Sequence, residues 1–201
     1  MTAAVETYQD MAAFASKRTP AWHQLGTVFN EDVTTDQMLE LAHLKGWNVR
    51  LEENEFDGDS ARSWYNVVRN NPFTGKLDRL GIVGDRYRVF QNEQLLSFGD
   101  NLLDGASWET AGSIVNGTKV FASLALDRET ILDPTGVADV VNNYLLVFTS
   151  HDGTTAINAM VTPVRVVCQN TLNMAIAGAK QSFKIRHTET HDGKVMAHHI
   201  S

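Results

Sequence analysis

The sequence has a single cysteine, Cys168, in 201 residues, so no disulfide can form within the chain and a reducing compartment is expected. It has only four prolines, which are too few for a linker-rich architecture. No apolar run approaches the roughly 18 residues that would span a bilayer, and the N-terminal residues lack the basic start and apolar centre of a signal peptide. These absences predict a cytoplasmic protein with no membrane partner.

The composition is typical of a folded protein. Hydrophobic residues make up 43% of the chain and charged residues 20%, which excludes a disordered or collagen-like chain. The length suits one main domain. Because an alanine-rich start is broken at Pro20, the sequence predicts an N-terminal arm or short helix over residues 1–20 and a single domain over 21–201.

The net charge of −7 is spread unevenly along the chain. Residues 1–60 hold four Lys or Arg and eleven Asp or Glu, a balance of −7, whereas residues 162–201 hold five basic and two acidic residues. A negative total argues against general attraction to nucleic acid, but local clusters of cations matter more than the sum. The C-terminal part is therefore the basic end of the chain.

Turn signals between β-rich segments indicate hairpins. Asn116-Gly117 separates residues 107–115 from 118–126 and is typical of a type I′ turn. Asp152-Gly153 predicts a second hairpin, and the Pro- and Gly-containing segment 70–75 predicts a third. Strands and helices come in clusters, so the sequence predicts an α+β fold, a mostly antiparallel sheet with successive hairpins and a few packed helices.

Alternation of residue types within the first two hairpins predicts one apolar and one polar face. In the first hairpin, Val120 and Leu124 fall on the apolar face, with Trp108 and Lys119 on the opposite face. In the second, His151 falls on the polar face, and the residues predicted to share the apolar face are Tyr144, Leu146, Phe148, Ile157, Ala159 and Val161. If the polar faces of the two hairpins meet beside Arg165, the sheet forms a binding surface.

Capping residues and helical spacing predict three helices and two short strands. The first helix is capped by Thr34 or Thr35, and the second by Asn92. The third is capped by Asn170 or Thr171 and ends at Gly178. Residues 87–90 and 182–186 are predicted as the strands.

Catalytic and metal sites have weak candidates. His187 and His191 have the spacing that places two imidazoles on one helix face for a metal, although turn-forming residues lie between them. Cys168 with His151 or His187 is a possible thiol–base pair, but a lone cysteine is more often a small buried apolar residue. No Walker or dinucleotide motif occurs. A non-enzymatic protein without a cofactor is therefore predicted.

Cations near aromatic and hydrogen-bonding residues suggest phosphate contacts. Such a set can hold a nucleic-acid backbone if its members converge in space. The predicted nucleic-acid-binding residues are Arg86, Arg88, Lys119, Arg165, Lys180, Lys184 and Arg186. The alternative is that they are scattered, solvated charges whose stems cover apolar surface.

Five strings in order resemble the phage/plasmid-like protein family, an uncharacterised domain of unknown function found in bacteriophages and mobile elements. The strings span residues 22–26, 87–92, 150–153, 165–172 and 185–188. The most specific is Arg165-Val166-Val167-Cys168-Gln169-Asn170-Thr171-Leu172. Members of that family usually continue into a further helical region, whereas this chain ends at Ser201, so we expect either a chain truncated at its C-terminus or a short member of the family.

The resemblance implies a protein working in phage DNA replication or recombination in the bacterial host cytoplasm. Phage single-strand annealing proteins also back a curved antiparallel sheet with a helix and often form rings, which is an analogy of fold alone. We therefore expect binding or annealing of single-stranded DNA, with homo-oligomers as a further expectation. The alternatives are a protein-interaction or self-assembly module that uses the acidic N-terminal arm, acting as a host-takeover factor, and a metal-dependent hydrolase.

Overall fold

The fold is α+β, and the computed structural model describes residues 3–56, 59–103, 106–132, 139–179 and 182–187. The helices are α1 (Thr35–Leu41), α2 (Asn92–Leu102) and α3 (Gln169–Gly178). The strands are β1 (Thr7–Tyr8), β2 (Met11–Ala12), β3 (Phe14–Lys17), β4 (Thr27–Phe29), β5 (Arg50–Phe56), β6 (Asp59–Asn70), β7 (Leu77–Gly84), β8 (Ser107–Ile114), β9 (Lys119–Leu132), β10 (Asp139–Ser150), β11 (Ile157–Thr162) and β12 (Ser182–Ile185).

A seven-stranded sheet in the order β12-β11-β10-β9-β8-β3-β4 forms the centre of the molecule. All its neighbouring strands are antiparallel except β3 and β4, which are parallel. One face packs against α1, α2 and the three-stranded sheet β5-β6-β7. The other face packs against α3 and residues 164–168. The central strands are consequently rich in apolar residues on both faces.

The first residues are built into this sheet, which differs from the predicted arm or short helix. Phe14 and Ala15 of β3 are fully buried, and β3 pairs with β8. Glu6 and Ala13 add backbone hydrogen bonds that join the N-terminal segment to β8. The prediction failed because these short strands pair with residues about a hundred positions later, and local patterns do not show such pairing.

The hairpin at Asn116-Gly117 is confirmed. Both residues have positive φ, 53° and 83°, and the Thr118 amide donates to the Val115 carbonyl, as a type I′ turn requires. The β10–β11 hairpin has a longer loop over residues 151–156 instead of a two-residue turn. The predicted register is therefore shifted, and Phe148 pairs with Asn158 rather than lying beside Ile157.

The prediction of one apolar and one polar face is wrong, because both faces of the sheet are buried in the hydrophobic core. Tyr144, Leu146 and Phe148 point towards α3, while Val147 and Ile157 point towards α2. Trp108 also lies on the opposite face from the one predicted. A β-bulge at Glu109 shifts the register there and turns the Trp108 ring towards α1.

The helix starts agree with the sequence to within one or two residues. Thr34, one of the two predicted caps, caps α1, and it forms a reciprocal capping box with Gln37. The caps of α2 and α3 are Gln91 and Cys168 instead of the predicted residues. Residues 87–90, predicted as a strand, form an irregular connection into α2, while β12 confirms the strand predicted at 182–186.

Residues 18–26 cross the α3 side of the sheet to join β3 to its parallel neighbour β4. Ala21 is buried there, and the crossing ends at Gly26, which has φ +86°. A Cβ at Gly26 would lie 2.2 Å from the Phe14 carbonyl oxygen, so only glycine fits this turn.

Gly26→Ala is expected to lower the melting temperature more than Gly75→Ala. Both glycines have positive φ, so each substitution incurs the cost of roughly 1–2 kcal/mol for a left-handed side chain. A Cβ at Gly75 meets nothing within 4 Å, whereas the Gly26 variant must also displace the backbone of β3. Thermal unfolding of the two variants measures the difference, and equal losses would contradict the close approach to Phe14.

Candidate functional site

Four of the predicted cations lie on two segments that are hydrogen-bonded to each other at one edge of the large sheet, which we call the basic edge: Arg86, Arg88, Lys184 and Arg186. All four side chains are exposed. Two hydrogen bonds hold the two segments together: the Arg88 amide donates to the His187 carbonyl at 2.5 Å, and the His187 ring donates to the Arg88 carbonyl at 3.0 Å. Residues far apart in sequence thus come together at the edge strand β12.

The other predicted cations lie elsewhere. Lys119 is half-buried at the start of β9, at the same end of the sheet and near Asp152. Burial raises the pKa of Asp152, but hydrogen bonds from Thr154 and Ser150, with a smaller contribution from Lys119, lower it overall. Lys180 is outside the described residues. Arg165 is half-buried in a groove on the α3 side, bounded by the crossing segment that follows β3.

This groove, the Arg165 groove, has a volume of about 720 Å³ and a mostly polar lining. The Arg165 Nε donates to a Glu109 carboxylate oxygen at 2.5 Å, and Nη2 donates to the carbonyls of Lys17 and Thr19, both at 3.1 Å. The lining also includes three residues with charged or hydrogen-bonding side chains: Arg18, Asn142 and Tyr144. Arg165 is therefore held rigidly from one side.

Two β-bulges shape the groove. One lies at Glu109 between β8 and β9, and the other lies between Asn142 and Asn143, where β10 pairs with β9. A bulge adds a residue to one strand and redirects a side chain, and bulges are common beside functional sites. Here the first one directs the Glu109 carboxylate to Arg165.

Tyr144 is 8% exposed and lines the groove. Its hydroxyl forms no hydrogen bond with any residue that the structure describes. Burial raises the pKa of Tyr144, the Glu109 carboxylate raises it further, and Arg165 opposes them. The phenol is thus protonated at neutral pH and lies close to both charged groups.

The two other cations of the groove differ in their surroundings. The Lys17 ammonium is buried and pairs with Asp32, whose carboxylate also accepts a hydrogen bond from Ser107 at 2.6 Å. Hydrogen bonding to Lys17 and Ser107 lowers the pKa of Asp32. Arg18 is exposed, and its guanidinium has no ion pair within the described part of the chain. The charge of Lys17 is therefore balanced, whereas that of Arg18 is not.

The groove and the basic edge lie apart on the sheet. Tyr144 of the groove lies midway along β10, and Thr149 lies near the end of that strand, where its hydroxyl is 2.9 Å from the His187 ring. Five residues of strand separate the two by about 17 Å. The predicted cations therefore form two separate sites and not one platform.

Cys168 caps α3 in a dense network of N–H donors, and its residue is only 1% exposed. Burial raises the pKa of the thiol, but hydrogen bonds from Thr171, the Trp22 indole and the Asn170 amide outweigh it, so the pKa is lowered. His151 lies on the other face of the sheet, beside Trp47, and His187 stacks on Tyr87 there. The suggested thiol–base pairs are therefore not assembled.

His187 is also unsuited to a metal. Its Nδ1 donates to the Arg88 carbonyl, so its Nε2 accepts from the Thr149 hydroxyl, and both nitrogens are used. His191 lies outside the described residues. Within the described ranges, no three His, Cys, Asp or Glu side chains are grouped as metal ligands would be.

Sequence reasoning identified Arg165 but missed its partners. Lys17, Arg18, Glu109 and Tyr144 reach the groove through strand pairing and bulges, which depend on tertiary structure. The Lys17-Arg18 doublet before Pro20 was the one local signal for a basic site.

The family model described as Domain of unknown function (DUF932) matches residues 79–200, more than half of the chain. The match covers four of the five strings on which the resemblance was based, including Arg165 to Leu172, and it confirms that resemblance. No curated protein sequence and no solved structure matches significantly. Among the described residues, no helix is long and apolar enough to cross a membrane.

Proposed function

The chain belongs to the family described as Domain of unknown function (DUF932), and we propose that it binds single-stranded DNA through the basic edge without catalysing a reaction on it. The observation that carries this proposal is that the segment of Arg86 and Arg88 is hydrogen-bonded to the segment that follows β12, so that two pairs of exposed cations lie on adjoining segments. None of the four forms an ion pair with a described residue. Arg88 Nη1 donates to the carbonyls of Asp85 and Tyr87, but the rest of its guanidinium and the other three cations are available to phosphates.

A single strand suits this surface better than duplex DNA. Duplex readers commonly place a helix with basic residues in the major groove. The helices α1, α2 and α3 contain no Lys or Arg. The cations lie instead on an edge strand and an irregular connection, and this linear arrangement can follow an extended phosphate backbone.

Little aromatic surface supports the edge, so phosphate contacts should dominate the affinity. Tyr87 is buried in a stack with His187, and Phe183 packs against Phe98. Binding is therefore expected to depend weakly on base sequence and steeply on salt. The phage context implied by the resemblance would place this activity in DNA replication or recombination in a host cytoplasm.

The double variant Arg86→Ala/Arg186→Ala is expected to bind a labelled oligonucleotide more weakly than the unaltered protein. Because each single-strand phosphate contact contributes about −0.7 to the slope of log affinity against log salt, the loss of two contacts should flatten it by about 1.4. Fluorescence anisotropy at several salt concentrations measures both quantities.

The matched control is Lys76→Ala/Arg79→Ala, which removes two other exposed cations near the β6–β7 turn. We expect it to retain most of the affinity and the slope. If the oligonucleotide does not bind at low salt, or if both double variants lose affinity equally, the basic edge is not a DNA-binding site.

Self-assembly is the alternative that the sequence raised. The sequence suggested an acidic N-terminal arm as the contact surface. Residues 14–17 are buried in the central sheet, however, and cannot contact a partner. Homo-oligomer formation by another surface stays a prediction. Size-exclusion chromatography with light scattering measures it directly.

A further inference from the structure

We propose that the Arg165 groove binds a phosphate monoester carried on a polar, hydroxyl-bearing body, such as a nucleoside monophosphate or a sugar phosphate. This site is separate from the basic edge, and the proposal does not depend on DNA binding. It is based on three groups that line one cavity and have hydrogen-bonding capacity left over: Tyr144, Arg165 and Arg18.

The Tyr144 hydroxyl opens on the groove. The ring is largely buried, but the oxygen is not enclosed, and it has no hydrogen-bond partner among the described residues. It can therefore donate to, and accept from, a ligand in the groove. Its position near Glu109 and Arg165 places it at the charged part of the groove.

Arg165 supplies a preorganised donor pair. A guanidinium has five N–H groups, and Glu109 and the carbonyls of Lys17 and Thr19 accept from Nε and Nη2. The Nη1 group donates to no described residue. Since three hydrogen bonds already fix the side chain, little conformational entropy is lost when Nη1 binds an anion.

Arg18 supplies the second free cation. Its backbone has φ 61°, an unusual conformation for a residue with a side chain, and its amide donates to the Phe29 carbonyl at 2.7 Å. The backbone of Arg18 is therefore held in place, and its exposed guanidinium lies at the rim of the groove. Two guanidinium groups can bind a doubly charged phosphate monoester through bidentate hydrogen bonds.

The rest of the groove suits a polar body attached to that phosphate. A volume of about 720 Å³ lies within the usual range for small-molecule sites. The Glu109 carboxylate and the exposed Asn142 amide offer hydrogen-bonding groups to hydroxyls. Because the Glu109 carboxylate would repel a phosphate at its own end of the groove, the phosphate should lie at the Arg18 end.

Isothermal titration calorimetry with ribose 5-phosphate, the nucleoside 5′-monophosphates and inorganic phosphate tests this site. We expect at least one phosphate ester to bind more tightly than both inorganic phosphate and its unphosphorylated counterpart. Binding of nucleotides alone would assign the body as a nucleoside, whereas equal binding of ribose 5-phosphate would assign it as a sugar. If no ester binds, or if the phosphate makes no difference, the proposal is wrong.

Two substitutions that leave the fold intact locate the binding. Tyr144→Phe removes only the hydroxyl and should weaken binding by roughly three- to tenfold, and Arg18→Gln should weaken it by about tenfold or more. The control Lys76→Gln removes an exposed cation outside the groove and should change nothing. Binding that survives both groove substitutions would overturn the assignment. Arg86→Ala/Arg186→Ala should retain ester binding, which separates this site from the DNA proposal.

Discussion

Replacing Arg69 by Ala is expected to lower the free energy of unfolding by about 3–5 kcal/mol, because a buried ion pair loses one partner. The Arg69 side chain is 1% exposed and donates to both carboxylate oxygens of Glu6. It also donates to Asp78 at 3.1 Å and lies 4.0 Å above the Trp47 ring. Without it, the bond from Ser113 is the one hydrogen bond that the buried Glu6 carboxylate keeps with a described side chain.

The large effect follows from the position of this ion pair in the fold. Glu6 belongs to the N-terminal segment, Arg69 to β6 of the small sheet, and Ser113 to β8 of the large sheet. The network therefore joins three parts of the molecule through buried side chains. The Asn116-Gly117 turn closes over it, because a Cβ at Gly117 would lie 2.3 Å from Arg69 Nη1.

Urea unfolding followed by tryptophan fluorescence measures the loss. Lys45→Ala is the control, since it removes the exposed ion pairs of Lys45 with Asp36 and Glu40 and should have a much smaller effect. The double variant Arg69→Met/Glu6→Gln should recover part of the stability, because it leaves no buried charge without a partner. An Arg69→Ala variant as stable as Lys45→Ala would show that Glu6 is solvated in solution.

The sequence was sufficient for features that depend on neighbouring residues. The Asn116-Gly117 turn and the Thr34 cap follow from backbone preferences within four residues, and both are as predicted. The antiparallel α+β class follows from the order of such local signals.

Features set by tertiary contacts were not predictable in the same way. The bulge at Glu109 moves Trp108 to the other face, and no local signal distinguishes a bulged strand from a regular one. The four-residue difference between a two-residue turn and the β10–β11 loop shifted the register of the whole hairpin.

The two candidate sites show the same limit. The basic edge joins residues near Arg88 to residues near Arg186, and the predicted list contained both because charge alone selected them. The groove also depends on Lys17, Arg18 and Tyr144. The sequence placed Lys17 and Arg18 in an N-terminal arm and Tyr144 on the apolar face of a strand. The pairing of β3 with β8 brings Lys17 and Arg18 beside Arg165, and the pairing of β10 with β9 places Tyr144 there.

His151 is expected to make the protein lose stability as the pH falls below about 6.5. The residue is fully buried, and burial, with smaller contributions from His187 and Arg69, lowers the pKa of His151 to about 3. The Asn92 amide nitrogen donates to the Leu44 carbonyl, so its oxygen accepts from His151 Nε2 at 2.9 Å. His151 Nδ1 has no partner, and a proton there would be a buried, unpaired charge.

The sign follows from proton binding in the two states. Between the folded pKa of about 3 and the ordinary value of about 6.5, the unfolded chain binds a proton at His151 that the folded protein does not. Stability is therefore fully present above about pH 6.5 and declines below it, by about 1.4 kcal/mol for each pH unit from this side chain.

The measurement compares the unfolding free energy of the unaltered protein and of His151→Gln between pH 8 and pH 4.5. The substitution should cost stability at pH 8, because the ring packs against Trp47, but the stability curve should be flatter by about 1.4 kcal/mol per pH unit. His43→Gln is the control: partial burial also lowers the pKa of His43, so its curve should flatten less. Parallel curves for the unaltered protein and His151→Gln would mean that a proton reaches His151 in the folded state, which requires the contact between the β10–β11 loop and Asn92 to open without global unfolding.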